Sequence, residues 1–401
     1  MAIVLPHETT DDTDMNTLQV AYLSRVRLNP YVRLMAEGVH KADSAIETSF
    51  RPTLTWRLLL PGRPDLVHVH WIELQYSYRH PPRSPERTQV WPERTQVRQA
   101  RTQVWQAQLA LKALLFKLNL AQRRGTRLFY TVHNLNQHDG IYPELNEKAN
   151  RWMFRHADAV HVHDEASAAV VASHYGRSQG VYVVPHGHYL HAYPNTIDRE
   201  SARQRLGLPS AAYVYLCLGQ VRPYKGLDQL ITAFMRLEEP GSTLMIAGRT
   251  ESEEYRTHLE TLASAHANVR LFPGYVADDE LQVFFNAADA CVFPYRRATT
   301  SGAALLAFSF GKPIVAPAIG PFPELIGSNK RAGANGALAT ESGILFHPDQ
   351  DDLGQALREV QCLSPARAQA SALATVANRD WAVLGAKHAA AYRHAVSVNH
   401  G

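Results

Sequence analysis

Cysteine is scarce. Cys217, Cys291 and Cys362 are the only three in 401 residues, far apart and without a C-x-x-C spacing. That leaves no disulfide framework, and the apolar runs around the first two point to buried free thiols in a reducing, cytoplasmic setting. No apolar run approaches the length needed to span a bilayer. Charge of one sign is also lacking: 41 Lys and Arg face 37 Asp and Glu. The basic residues are not massed, so a nucleic-acid partner is excluded. No aspartate-rich metal motif is present. The acidic opening MAIVLPHETTDDTDMN lacks the charged-then-apolar order of a secretion signal, and residues 1–17 read as a disordered leader. The length accommodates two domains.

What is present is organised around YVYLCLGQVRPYKG, from Tyr213 to Gly226. Its apolar, β-branched and aromatic opening has strand character. A turn at Gly219 and Gln220 follows, with Arg222 and Lys225 in the loop. LDQLITAFMRL (227–237) then repeats apolar residues at helical spacing. A strand, a glycine turn, two cations and a helix make half a site for an anionic ligand. The plainer alternative is a βα unit with solvated charges. ATTSGAALLAFSFGKPIVAP (298–317) offers the second half. There Thr299, Thr300, Ser301, Gly302 and Ala303 present hydroxyls and free N–H groups at the start of an apolar helix. One cationic and one amide-rich half-site in the same domain suit a diphosphate.

The first half of the chain begins with a strand, LQVAYL (18–23), and a helix from Pro30. DLVHVHW (65–71) is a strand ending at His70 and Trp71. PERTQVW, PERTQVR and QARTQVW (85–105) are imperfect copies of one unit, and a surface loop over 75–105 is expected. With its arginines among Tyr76, Tyr78, Trp91 and Trp105, that loop is expected to hold a glycan, to rest on anionic lipid headgroups, or to do neither. AQLALKALLFKLNLAQRR (107–124) reads as a helix packing on a sheet, a membrane-surface role being the alternative. GTRLFYTVHNLNQHDG (125–140) delivers His133 and Asn134 at a strand's end, with His138 and Asp139 in the loop beyond. Such groups are placed for proton transfer; a hydrogen-bonded structural histidine and a turn-capping aspartate are the alternatives.

Strand–helix–strand order continues through 157–189, and Pro185, Gly187, Pro194 and Asn195 suggest a hinge. The second half repeats the alternation, with strands at 242–248, ending in Gly248, and at 268–276, 289–295 and 311–317, followed by Glu324. The expected fold is α/β: two Rossmann-like domains with parallel sheets facing a central cleft. Their expected bounds are 18–195 and 196–375, with a final helix in 376–401 packing back on the first domain.

LGQVRPYKGLDQLITAF, with PHGHY, the V-H-N after a strand, AADACVFPY and GKPIVAP, resembles the signature of nucleotide-sugar glycosyltransferases of the GT-B fold, near family 4. The resemblance implies a donor site in the C-terminal domain at Gly219, Gln220, Arg222, Lys225, Gly248, Thr299 to Ala303 and Glu324. It implies an acceptor site in the N-terminal domain, with His70, Trp71, Asn134 and His186. No cofactor is implied beyond the nucleoside-diphosphate sugar as co-substrate, and no metal. The implied partners are that sugar nucleotide, a saccharide or lipid-linked glycan acceptor, and the surface of an anionic membrane. One departure stands out: the two glutamates of retaining members fall at Ala298 and Leu306. The chain looks more like a side branch whose members are described as β-mannosyltransferases using GDP-mannose on lipid-linked oligosaccharides. UDP-glucose or UDP-glucuronate, and a catalytically silent binding module, are the alternatives. An inverting site needs a base, for which Asp139 is preferred, with His138 orienting or replacing it. By resemblance His133 touches the donor sugar.

Overall fold

The computed structural model describes residues 17–56, 61–77, 93–133, 142–250, 252–298, 301–327, 331–332, 338–350 and 352–398; for 93–101, 331–332 and 350 it describes the backbone alone. The expected leader through residue 16 lies outside them, as do Tyr78, Trp91, Asn134, His138, Asp139, Thr299 and Thr300. The chain forms two compact units, Met1–Pro185 with Trp381–Gly401, and His186–Asp380. The division therefore falls before His186 rather than after Asn195. PHGHY belongs to the second unit because its backbone pairs there: the His188 N–H donates to the Arg379 carbonyl, and the Tyr189 N–H to Ser309 Oγ.

The first unit is built on strands β1 (Leu18–Leu23), β2 (Ile46–Arg51), β3 (Leu66–His70), β4 (Arg127–Thr131), β5 (Ala159–Val162) and β6 (Val181–Val183). They form a 6-stranded sheet in the order β2-β1-β3-β4-β5-β6, parallel throughout. Side chains alternate faces along a strand, and the V-H-V-H runs in β3 and β5 sort accordingly. Val67, Val69, Val160 and Val162 join Leu111, Leu114, Leu118, Leu145 and Met153, from the helices Glu93–Arg123 and Pro143–His156, in one core. His68, His70 and His161 are fully buried on the other face, where the helices Tyr31–Ala42 and Trp381–Ser397 pack. Those two helices meet at glycines: a Cβ on Gly38 would lie 2.1 Å from the Trp381 carbonyl oxygen, and one on Gly385 would lie 2.1 Å from the Gly38 carbonyl carbon.

The expected loop over 75–105 is corrected by the structure. One helix runs from Glu93 to Arg123 through the second and third repeats. Its sequence directly follows Pro92 and is then free of proline and glycine, so Gln, Arg, Ala and Leu carry a helix without a breaker. Tyr76, expected in that loop, is instead 3 % exposed in the core, with its hydroxyl on Asn146. Strand β2, IETSFR, is an edge strand with a half-exposed pattern, and no apolar run announces it.

The second unit contains β7 (Tyr213–Leu218), β8 (Ser242–Gly248), β9 (Val269–Pro273), β10 (Ala290–Val292), β11 (Ile314–Pro317), β12 (Arg331–Ala332), β13 (Leu338–Thr340) and β14 (Gly343–Phe346). The sheet is 8-stranded, in the order β12-β13-β14-β11-β10-β7-β8-β9. Pairing is parallel from β14 to β9 and antiparallel at the β12 and β13 edge. The chain builds β8 and β9 on one side of β7, then returns to place β10 on the other. That reversal lies between β7 and β10, and the carboxyl ends of strands at such a reversal are where open α/β sheets bind ligands.

Candidate functional site

The residues expected to bind a diphosphate sit at that reversal. Beyond β7 the chain passes through Gly219 (φ 134) into a short 3-10 turn, Pro223–Lys225, which ends at Gly226. Gly248, at the end of β8, has φ +150, and a Cβ there would lie 1.8 Å from the Gly219 carbonyl oxygen. Only glycine permits this contact, which draws the ends of β7 and β8 together. Lys225 folds back so that its Nζ lies 3.2 Å from where a Cβ of Gly219 would be. The ammonium also lies 5.2 Å from the centre of the Tyr295 ring, after β10. Burial lowers its pKa from 10.5 to about 8, partly opposed by Cys217 and reinforced by Arg222. Lys225 has no carboxylate partner among the described residues, and such a buried cation costs free energy that an anionic ligand would recover. Arg222 is half-buried and Gln220 exposed at the same turn. The turn is pinned from outside by Arg296, which donates to Asp228 and to the Pro223 carbonyl.

The second half-site follows β10. Ser301 caps the helix Gly302–Ser309, its side chain accepting from the Ala304 N–H. Gly302 and Ala303 form the first turn, where backbone N–H groups have no partner within the helix. His186 Nε2 lies 3.5 Å, and the Tyr189 hydroxyl 3.4 Å, from where a Cβ of Gly302 would be. His186, expected with the acceptor half, is therefore placed in the second unit beside this helix start. Its Nδ1–H donates to the Gly187 carbonyl, and burial lowers its pKa to about 4. It is a neutral imidazole at pH 7. Glu324 is exposed on the short helix Phe322–Leu325, 3.7 Å from Arg379. Leu306 stands half-buried on the helix Gly302–Ser309, and Ala298 is half-buried before Ser301.

In the first unit, His70, Trp71 and His133 meet at the carboxyl ends of β3 and β4. His70 Nδ1 lies 3.0 Å from His133 Nε2, and the edge of Tyr31 covers His133 at 5.1 Å. The other ring nitrogen of His70 is buried with no hydrogen-bond partner among the described residues. That state costs about 1–3 kcal/mol.

Behind this trio lies a network that sequence reasoning missed. Burial, together with the neighbouring imidazoles, pushes the pKa values of His68 and His161 well below 6.5, so both are neutral. Neutrality fixes the direction of every bond. His161 Nε2–H donates to the Val184 carbonyl over 2.8 Å, so its Nδ1 must accept from Thr131 Oγ1, 3.0 Å away. Thr131 then accepts from His68 Nε2–H at 2.6 Å, and His68 Nδ1 accepts from the Tyr392 hydroxyl at 2.7 Å. The available signal was the repeated V-H-V-H: two strands carrying histidine at every second position put their imidazoles on one face.

Residues 198–372 match the family of glycosyl transferases group 1. Over 381 residues the chain is 25% identical to the GDP-mannose:glycolipid 4-beta-D-mannosyltransferase of Xanthomonas campestris pv. campestris, covering 92% of this chain and 89% of that one. The protein is a glycosyltransferase carrying a group 1 domain. Solved structures of similar fold include sucrose-phosphate synthase from Thermosynechococcus elongatus, with a TM-score of 0.63 at 18% identity, covering 94% of this chain and 98% of that one. Anabaena HepE in complex with UDP-glucose aligns with a TM-score of 0.62 at 17% identity, covering 93% and 98%. The fold is thus GT-B. In this glycosyltransferase, Gly219, Gln220, Arg222, Lys225, Gly248, Ser301, Gly302, Ala303 and Glu324 fall inside the matched segment. His70, Trp71, His133 and His186 fall outside it.

Proposed function

We propose that this glycosyltransferase moves mannose from GDP-mannose to a saccharide or lipid-linked oligosaccharide, with inversion and without a metal ion. The observation that carries the reading is the buried Lys225 ammonium at the carboxyl end of β7, on the strand adjacent to the one leading into the helix Gly302–Ser309. Arg222 and Lys225 supply positive charge for the leaving nucleoside diphosphate, and the helix start supplies N–H donors. The choice of donor and acceptor class is supported by the name of the Xanthomonas relative and by its coverage of almost the whole chain. In this reading His133 contacts the donor sugar and Asp139 deprotonates the incoming hydroxyl, with His138 orienting it. The acceptor meets the protein at the lipid surface.

Thermal-shift titration with GDP, UDP, ADP and dTDP tests the donor: GDP is expected to stabilise most. Stabilisation by UDP and not GDP overturns the choice. NMR of the product's anomeric centre tests the stereochemistry; an α-linked mannose rejects inversion. An absence of transfer from any nucleotide donor points instead to a binding module.

A further inference from the structure

The helix Glu93–Arg123 has two apolar faces. Ala107, Leu111, Leu114 and Leu118 are buried in the core of the first unit. Trp105 is 59 %, Leu109 44 % and Phe116 60 % exposed. At about 100° per residue, positions 105, 109, 112, 116 and 123 fall within roughly 40° of one line, opposite the buried face. Trp56, itself 56 % exposed, extends that line from the preceding loop, its ring 6.5 Å from Phe116. Lys117 lies 5.0 Å from the Trp56 ring and donates to the Leu54 carbonyl. Lys112, Arg123 and Arg124 are exposed. From Thr102 to Arg124 the sequence contains no aspartate or glutamate.

We propose that this face docks on an anionic lipid surface. Trp56, Trp105, Leu109 and Phe116 enter the headgroup boundary, and Lys112, Lys117, Arg123 and Arg124 meet lipid phosphates. The charge pattern selects this occupant. Aromatic anchors interleaved with cations, on a stretch of helix that carries no aspartate or glutamate of its own, are complementary to a negatively charged interface. A second copy of the chain would set Lys112 against like charge. Among the described residues no helix is long and apolar enough to cross a membrane, so the contact is one of lying on the surface. From Trp105 to Arg123 the line is about 27 Å long, enough to lay the helix flat. The inference stands independently of the donor and acceptor of the reaction.

The test is co-sedimentation of the full chain with vesicles of phosphatidylglycerol and phosphatidylcholine, or of phosphatidylcholine alone, at low and high salt. The wild type is expected to bind the anionic vesicles and to be released by salt. Lys112→Gln should weaken binding roughly fivefold, and Trp105→Ser with Phe116→Ser at least about tenfold. Melting temperatures should stay nearly unchanged, because these side chains face solvent. Wild-type protein that ignores anionic vesicles, or variants that bind as well as wild type, overturn the proposal. A lipid-free dimer dissolved by the Trp105→Ser, Phe116→Ser variant also overturns it, in favour of self-association. Should the double variant fail to fold, the single Lys112→Gln comparison decides.

Discussion

The indole of Trp71 lies flat on the imidazole of His133, with ring centres 3.6 Å apart and planes 8° from parallel. Trp71 achieves this from a left-handed backbone, at φ 44, which a bulky L-residue adopts only at a cost of about 1–2 kcal/mol. The sheet ends, the stack and the His70–His133 contact hold it there.

A reversal of the usual alanine-over-glycine order follows at this position. Both Trp71→Ala and Trp71→Gly lose the stack, but only glycine relieves the backbone. Trp71→Gly should be the more stable of the two by about 1 kcal/mol in urea unfolding. Both should lower turnover more than tenfold if His133 touches the donor sugar. Equal stabilities would remove the claim of backbone strain.

The histidine network predicts acid lability. His70 is held at about 3 and His388 at about 4, mainly by burial, and His68 and His161 lie well below 6.5. Below pH 6.5 the unfolded chain takes up protons that the folded chain refuses, so stability is full above that pH and falls as pH drops toward the folded values. Each histidine contributes up to about 1.4 kcal/mol per pH unit in that window. Denaturant midpoints at pH 5.0 and 7.5 check this; equal midpoints would show that these histidines are not buried as neutral groups.

Thr131 is the link on which the network turns, because its hydroxyl both donates and accepts. Thr131→Val keeps the volume but strands a His68 N–H and a His161 nitrogen. The expected cost is about 2–5 kcal/mol. Thr131→Ser should recover most of it. A valine variant as stable as wild type would show that the hydroxyl is dispensable.

On the proposed reading, Lys225 should couple pH to donor binding. A nucleoside diphosphate favours the charged ammonium, so GDP affinity should fall as pH rises through about 8. In the ligand-free protein the sign is opposite. Between about 8 and 10.5 the folded state binds fewer protons than the unfolded one, so stability rises with pH. Lys225→Met should abolish both trends, stabilise the free protein at neutral pH, and lower turnover on the order of a hundredfold. Calorimetric titration across pH, paired with thermal melts, separates the two effects.

Gly248→Ala places a methyl where the Gly219 carbonyl oxygen stands, on a backbone that L-residues avoid. Stability should fall by at least about 2 kcal/mol. GDP binding should weaken as the Gly219 turn is displaced. A fully stable alanine variant would show that the two strand ends are free to part.

Much of this protein could be read along the chain. Strand and helix alternation is a local property, so β1, β3, β7 and β8 with their following turns were legible from apolar runs and glycines. So was the pairing of Arg222 and Lys225 with a strand end, because the Gly219 turn leaves the loop nowhere else to go. Weakly apolar elements escaped: β2 is an edge strand, and the helix through the RTQV repeats depended on what Pro92 precedes rather than on a hydrophobic period. The histidine network could not be read as a network. Its members come from β3, β4, β5 and the helix Trp381–Ser397, and only parallel pairing with a returning terminal helix brings them together. Placement of His186 beside Gly302 is of the same kind. A sequence determines which side chains share a strand face, because that follows from the two-residue period of the backbone. Which faces then meet, and whether an imidazole there is dry enough to stay neutral, depends on burial by distant segments, and only the tertiary structure decided it.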